Sequence, residues 1–248
     1  MVGPRPSQDD RRPIGPVAPP DRARRDPWWT AGYLIVGGLF RLLFRIRYAG
    51  RANIPRSGGA ILACNHISVL DPVIISMGAT TTGRAVRFLA AAEFFRRPLI
   101  GWGLRAISQI PVRRGASDRG ALEQAARVIR AGALAGIYPE GRVSPDGDLM
   151  PGKRGAARIA LASGAPLVPV GIWGTRARWP RAGIRWGRPI RPRVVVAFGL
   201  PVEPEGDLED PAAVQRLTER LMAAIAEQVR VARSMAERGA PNIDGPFA

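Results

Sequence analysis

The sequence predicts an α/β fold, a single domain built on a largely parallel β-sheet flanked by helices. Short β-prone runs alternate along the chain with segments of helical periodicity, which is typical of parallel sheets. The 248 residues are also 46% hydrophobic and 23% charged. That composition supplies enough apolar side chains for a sizeable core and excludes a globally disordered chain.

Six β-prone runs are predicted as strands. They cover Gly59–Cys64, Val86–Ala91, Gln109–Val112, Ala133–Tyr138, Pro166–Ile172 and Arg193–Phe198. Helical periodicity predicts helices at Asp118–Ala131, at Gly155–Ser163 with Gly164 as its end, and from about Pro211 to Ala236. Because ligands of such sheets bind beyond the carboxyl ends of the strands, functional side chains are expected directly after strands.

Composition divides the chain into five expected segments. Residues 1–26 are rich in proline and arginine and poor in apolar side chains, so they are expected to form a disordered tail. The remaining segments are an interfacial amphipathic helix at 27–47, the α/β domain at 48–202, a C-terminal helix at 203–238 and a flexible tail at 239–248.

The segment 27–47 has the character of a membrane-interface helix. Its apolar stretch, Trp28–Phe40, is shorter than the roughly 20 residues that span a bilayer. It starts too late, and lacks a small-residue cleavage site, for a signal peptide. Tryptophans at its start and arginines at its end suit lipid headgroups, and the alternative is a core helix covering the domain.

The charge balance indicates anionic partners. Lys and Arg number 37 against 20 Asp and Glu, a net charge of +17 with a pI near 11.6. The positive charge is compatible with three kinds of partner: nucleic acid, anionic lipid headgroups and a phosphorylated substrate. The stretch 151–202 contains no acidic residue and carries three tryptophans, so it could bind either a membrane or a nucleic acid.

The numbers of histidines and cysteines limit the kinds of disulfide, metal site and catalytic base that the chain can form. A single cysteine excludes an internal disulfide, and one Cys with one His cannot build a zinc site, so no metal is expected. The only histidine, His66, follows an apolar run, and Asp71 lies five residues further on. A carboxylate on one ring nitrogen would fix the imidazole tautomer and leave the other nitrogen free to accept a proton.

Two alternatives compete at this position. Asp71 directly precedes Pro72, an arrangement that also caps an ordinary helix. Cys64, two residues before His66, could be a thiol nucleophile, although a lone cysteine in an apolar strand is more often a small buried hydrophobe.

Two further strand ends carry basic residues. Glu140, Gly141 and Arg142 follow one predicted strand, and the only lysine, Lys153, lies shortly after them. Glycine lets backbone amides approach an anion, and Arg and Lys add charge-assisted hydrogen bonds, whereas Ser144–Gly147 has the pattern of a plain turn. Arg113 and Arg114 end another strand, where solvated side chains would explain them equally well.

Together these segments resemble the glycerophospholipid acyltransferase family, especially the bacterial 1-acylglycerol-3-phosphate acyltransferases. Asn65, His66 and Asp71 match its first motif, N-H-x-x-x-x-D. The family's second motif is similar to Ile110–Arg114, its third to residues 139–144 and its fourth to Val168–Val170. The resemblance covers roughly residues 50 to 200, and four motifs in order are far more specific than any one of them.

The resemblance implies a glycerolphosphate acyltransferase-like fold and a role for each matching residue. His66 would be the general base, Asp71 its partner and Asn65 a supporting residue. The acceptor would be bound by Arg114, Glu140, Gly141 and Arg142. Two departures stand out: Arg113 replaces an aspartate, and Arg142 lies one position before the family's usual arginine, so Lys153 could substitute for it.

The expected activity is acyl transfer from acyl-CoA or acyl carrier protein to the free hydroxyl of a lysophospholipid. The leading acceptor is 1-acylglycerol-3-phosphate, giving phosphatidic acid in phospholipid biosynthesis; the thioester is a substrate, and no cofactor is expected. The expected location is the cytoplasmic face of the membrane, peripheral or monotopic, on anionic lipid and without nucleic acid. Alternatives are a non-phosphate acceptor such as an amino-acid-linked lipid, or a non-catalytic basic membrane- or nucleic-acid-binding module.

Overall fold

The computed structural model describes residues 27–106, 109–112, 119–180, 182–185, 187 and 189–242. These residues contain seven strands: β1 Arg45–Ala49, β2 Ala60–Cys64, β3 Val86–Ala91, β4 Ile110–Val112, β5 Leu134–Ile137, β6 Leu167–Trp173 and β7 Arg193–Phe198. The α-helices are α1 Pro27–Leu43, α2 Asp71–Thr80, α3 Ala92–Phe95, α4 Pro98–Ala106, α5 Arg119–Arg130, α6 Gly155–Ser163 and α7 Pro211–Arg238.

The strands form one sheet in the order β1-β7-β6-β2-β5-β3-β4. Among the described strands, five of the six neighbouring pairs are parallel, and β6 and β7 run antiparallel. The predicted class, a largely parallel sheet flanked by helices, is therefore confirmed. The central strands β2, β5 and β6 bring their carboxyl ends to the same edge of the sheet, since parallel strands point the same way.

Both faces of the sheet are buried, which explains the continuous apolar runs of its central strands. In β2, Leu62 and Cys64 pack into the cluster that contains α2, whereas Ile61 and Ala63 pack into the cluster formed with α5, α6 and α7. The alternation follows the two-residue period of a strand.

The N-terminal helix is shorter than the expected 27–47. It ends at Leu43, and Arg45–Ala49 form β1, an edge strand paired with β7. The physical reason is that the side chains here follow the two-residue period of a strand, since Arg45 and Arg47 are exposed whereas Ile46 and Tyr48 lie towards the core. The α/β sheet therefore begins at Arg45 rather than at residue 48.

The C-terminal helix belongs to the same domain. α7 begins at Pro211, with the Asp210 side chain accepting a hydrogen bond from the Ala212 amide at 2.8 Å. Its buried side chains, Val214, Leu217 and Leu221 among them, pack into the core below the sheet. Among the described helices, none is both long and apolar enough to cross a membrane.

Candidate active site

Asn65 anchors the carboxyl end of β2 to the neighbouring strand β6. Its side-chain oxygen accepts a hydrogen bond from the Ile172 amide at 2.7 Å, and its Nδ2 donates to the Ile172 carbonyl at 3.1 Å. Asn65 is almost fully buried, so both polar ends of its amide need these partners. The contact holds the next residue, His66, at the rim of the sheet.

The predicted contact between His66 and Asp71 is present. His66 Nδ1 lies 3.0 Å from Asp71 Oδ2, and the same oxygen accepts the backbone amides of Ile67 and Ser68 at 2.8 Å each. The carboxylate is completely buried, whereas the imidazole is 15% exposed. The chain thus curls around the carboxylate and leaves the histidine at the surface of the site.

Asp71 opens α2 without serving as its cap. The capping position is Leu70, which makes no side-chain cap hydrogen bond. The carboxylate instead turns back towards the preceding loop and His66, so the simple helix-cap interpretation does not account for its contacts. Within the described part of the chain, no group is hydrogen-bonded to His66 Nε2, which is the nitrogen that a base would use.

Cys64 is a poor candidate for a nucleophile. Its side chain is fully buried in β2, and burial, followed by the charge of Asp71, raises the pKa of the thiol well above its usual value. A thiol acts as a nucleophile only as the thiolate. The structure therefore favours the interpretation of Cys64 as a small buried hydrophobe.

The Glu140 carboxylate accepts hydrogen bonds from the backbone next to His66. Its Oε1 accepts the His66 amide at 2.7 Å and its Oε2 accepts the Met150 amide at 3.0 Å. Burial raises the pKa of Glu140 above its usual range, although these two hydrogen bonds and His66 act in the opposite direction. Glu140 was expected to bind the acceptor, but its carboxylate oxygens are engaged by backbone amides, so its contacts are those of a structural support.

The segment after Glu140 is tied to the same loop. The Ser144 amide donates to the His66 carbonyl at 2.7 Å, so two strand-end motifs hold one another through their backbones. Ser144 Oγ also donates to Asp146 at 2.8 Å and accepts the Gly147 amide at 2.9 Å. These contacts form the predicted turn at Ser144–Gly147.

Arg142 and Lys153 border an open cavity beside Glu140. The cavity has a volume of about 270 Å³, and Met150 and Pro151 complete its lining. Both cations are exposed, and neither side chain has a hydrogen-bond or ion-pair partner among the described residues. Within the described part of the chain, Arg142 and Lys153 are thus two cations available to a ligand beside Glu140.

Gly141 lets Lys153 approach the cavity. Gly141 has a φ of 73°, and a Cβ at this position would lie 3.1 Å from Lys153 Nζ. Glycine is suited both to this left-handed backbone and to the close passage of the lysine side chain. The third predicted cation, Arg114, lies outside the described residues; β4, the strand before it, pairs with β3 at the edge of the sheet.

Two residues that the sequence did not single out contact the His66–Asp71 pair. The ring of Tyr138 stacks on the imidazole, and Thr175 Oγ1 donates a hydrogen bond to Asp71 Oδ1 at 2.7 Å. Tyr138 directly precedes the Pro139-Glu140 motif, which was a usable signal. Thr175 gave none, because it lies 104 residues from Asp71 along the chain.

The known proteins to which this chain is similar are acyltransferases. A 1-acyl-sn-glycerol-3-phosphate acyltransferase from Bacillus subtilis is 31% identical over 130 residues, which are 52% of this chain and 63% of that protein. A chloroplastic protein of that name from Brassica napus is 32% identical over 129 residues, 51% of this chain and 36% of that protein. The matches thus span less than two thirds of either relative.

A solved structure is also similar. The crystal structure of the 1-acyl-sn-glycerophosphate acyltransferase PlsC from Thermotoga maritima aligns with a TM-score of 0.64 and 25% sequence identity. The alignment covers 84% of this chain and 81% of that one. The sequence model of the acyltransferase family matches residues 45–173, more than half of the 248 residues and the span that contains His66, Asp71 and Glu140. The chain belongs to the acyltransferase family.

Proposed function

We propose that the protein transfers a fatty acyl group from an acyl thioester to the free hydroxyl of a lysophospholipid, with 1-acylglycerol-3-phosphate as the acceptor. The observation that carries the proposal is the His66–Asp71 contact of 3.0 Å at the rim of the sheet, close to a cavity bordered by two cations. A base beside an anion-binding cavity suits an acceptor that carries a hydroxyl and a phosphate on one small backbone.

The reaction requires one proton to move twice. His66 Nε2 takes the proton of the acceptor hydroxyl as its oxygen attacks the thioester carbonyl, and Asp71 stabilises the imidazolium that forms. The tetrahedral intermediate then collapses, the carbon–sulfur bond breaks, and the imidazolium returns the proton to the leaving thiolate. The products are a new ester and a free thiol, with no acyl-enzyme intermediate.

General base catalysis contributes typically about 10²- to 10⁴-fold, so alignment must supply much of the remaining acceleration. The contacts around His66 support such alignment. Its backbone amide is held by Glu140, its carbonyl by Ser144, and its ring by Asp71 and Tyr138. A base fixed by four contacts loses little freedom when the acceptor binds.

Arg142 and Lys153 are proposed to bind the acceptor phosphate, together with Arg114. The cavity that they border measures about 270 Å³, which is sufficient for a phosphate and its nearest carbons. The acyl chains of both substrates are proposed to lie outside this cavity, towards the membrane from which the acceptor comes.

The proposed attachment is peripheral, at the cytoplasmic face of the membrane. Along α1, large apolar side chains are exposed to solvent, with Ile35 at 73% and Leu42 at 66%. Phe40, on the other side of the helix, packs against the core. A helix with one apolar face uncovered and Arg41 in its last turn is suited to an anionic bilayer surface.

Apolar side chains are also exposed outside α1. Val69, in the loop between His66 and Asp71, is 53% exposed. Ile190 is also exposed, and the adjacent Arg191 donates to the Arg41 carbonyl at the end of α1 at 2.6 Å.

The function is tested by following acyl transfer from a labelled acyl-CoA, and separately from a labelled acyl carrier protein, to a panel of lysolipids. The proposal predicts a labelled diacyl product from 1-acylglycerol-3-phosphate. Preference for a lysolipid without a phosphate would replace the acceptor and keep the reaction class. If no lysolipid is acylated by either donor while the protein still binds vesicles, a non-catalytic binding module is the better interpretation.

A further inference from the structure

Asp71 uses its two carboxylate oxygens differently. Oδ2 accepts hydrogen bonds from the backbone amides of Ile67 and Ser68 and contacts Nδ1 of His66. Oδ1 accepts a hydrogen bond from Thr175 Oγ1 at 2.7 Å, and no other described residue is hydrogen-bonded to Oδ1. Both Asp71 and Thr175 are completely buried. The threonine hydroxyl is therefore the group that satisfies the second oxygen of a buried carboxylate.

The fold holds Thr175 in place from both sides. Before it, Gly174 has a φ of 98°, and a Cβ there would lie 2.0 Å from the Arg193 carbonyl oxygen. After it, the Trp179 amide donates to the Thr175 carbonyl at 3.2 Å, and the Trp179 carbonyl accepts a hydrogen bond from Ser68 Oγ at 2.6 Å. The segment that presents Thr175 is thus fastened to the same loop that carries His66.

We infer that Thr175 is a positioning residue, which fixes the rotation of the Asp71 carboxylate so that Oδ2 faces His66 Nδ1. Without the hydroxyl, Oδ1 would be left buried without a partner, and the carboxylate would relax by rotating towards other donors. Rotation would weaken its hold on the imidazole and allow the proton to reside on either ring nitrogen. Only the form with the proton on Nδ1 leaves Nε2 able to act as the base.

This inference rests on the proposed function of His66, and the experiment separates the two. Thr175→Val removes the hydroxyl at nearly constant volume, and Thr175→Ser keeps it. The matched control is Thr218→Val, since Thr218 is also buried and donates to a backbone carbonyl, that of Val214, at 2.7 Å within α7. Acyl transfer is measured with the full chain, and both substrates are varied.

The expected loss in kcat for Thr175→Val is about 10- to 100-fold, with the KM of both substrates changed less than threefold. Thr175→Ser should retain kcat within about threefold, and Thr218→Val should behave like the wild type. If Thr175→Val does not fold, Thr175→Ala removes the same hydroxyl without placing a methyl group against the carboxylate.

A spectroscopic readout makes the result independent of turnover. Because the chain has a single histidine, ¹⁵N labelling of histidine gives one pair of imidazole nitrogen resonances that report the tautomer directly. Wild type and Thr175→Ser should show the proton on Nδ1, and Thr175→Val a mixture of the two neutral tautomers. An unchanged tautomer, or a normal kcat, in the valine variant would overturn the inference. Either result would leave the proposed role of His66 to be judged by the His66→Ala variant.

Discussion

The ring of Tyr138 lies parallel to the imidazole of His66, with the ring centroids 3.8 Å apart and the planes inclined by 14°. The phenol hydroxyl is buried and has no hydrogen-bond partner among the described residues. Burial, with smaller effects of Asp71 and Cys64, raises the Tyr138 pKa well above its usual value, so the ring is neutral at working pH. The flat face, rather than the hydroxyl, is what Tyr138 presents to His66.

Tyr138→Phe should therefore keep acyl transfer close to the wild-type rate. Removing an unpartnered buried hydroxyl should leave the free energy of unfolding unchanged or raise it by about 1 kcal/mol, measured by urea denaturation. Tyr138→Leu removes the stacked face and should lower kcat at least tenfold. A severe loss of activity in the phenylalanine variant would instead give the hydroxyl a direct role.

The raised pKa of Glu140 predicts a pH-dependent stability. Because the folded protein binds this proton more tightly than the unfolded chain, its stabilising contribution is fully present below the ordinary value of 4.5 and is lost as the pH rises through the raised folded value. Glu140→Gln removes this titration. Across the pH range just above 4.5, the wild type should lose stability relative to the glutamine variant.

The measurement is the free energy of unfolding of both proteins at closely spaced pH values. The change in their difference with pH is the quantity of interest, because the glutamine also perturbs the amide contacts by a constant amount. A difference that does not vary with pH, or that varies in the opposite direction, would contradict the assignment.

The cations beside the cavity should govern acceptor binding. Arg142→Ala and Lys153→Ala should each weaken acceptor binding by about 1.5 to 3 kcal/mol, the range for hydrogen bonds to charged groups, with little change for the donor. Arg114→Ala should have the largest effect, since Arg114 occupies an unaltered family position. Acceptor and donor KM are measured separately for each variant.

The control for these variants is Arg130→Ala. Arg130 is exposed at the end of α5, which leads into the amino end of β5 and so lies at the opposite edge of the sheet. Loss of donor affinity in all three test variants would assign the cations to the phosphates of CoA. No change for either substrate would point to an uncharged acceptor.

The exposed face of α1 should bind membranes. A triple substitution, Ile35→Ser, Leu39→Ser and Leu42→Ser, should lower binding to anionic vesicles at least tenfold, because each side chain contributes on the order of 1.5 kcal/mol or more when buried. Leu200→Ser is the control, as Leu200 is an exposed leucine outside α1. Deletion through Arg47 is unsuitable, since it would remove part of β1.

Rising salt should weaken the electrostatic part of this binding, which is screened within a Debye length of about 8 Å at physiological ionic strength, and leave the apolar part. Vesicle binding that is unchanged in the triple variant would assign attachment to the basic stretch after Pro151.

Local signals in the sequence were sufficient for most of the sheet. The helix at Gly155–Ser163 ends at Gly164 as predicted, with a φ of 69°, because a left-handed residue is a local requirement that glycine meets. The strand at Arg45–Ala49 was missed because it follows an apolar helix without a turn residue. Its identity depends on pairing with β7, almost 150 residues away.

In the candidate site too, contacts between residues close in the sequence could be predicted, whereas contacts between distant residues could not. His66 and Asp71 lie five residues apart, so their contact was open to prediction from a single loop. The contact of Thr175 with Asp71 depends on how β6 lies beside β2, which is a property of the folded sheet. The position of Glu140 on the His66 amide likewise requires the pairing of β2 with β5.

The central claim, that His66 is the base of an acyltransferase, is tested most directly by the His66→Ala variant in the acyl-transfer assay. Labelled acyl thioester and 1-acylglycerol-3-phosphate are supplied, product is quantified, and folding is checked by circular dichroism and urea denaturation. The variant should be folded. Its rate of acyl transfer should fall by at least about 10²-fold, because the chain has no other imidazole that could replace the base. A folded His66→Ala protein that turns over at the wild-type rate would contradict the claim.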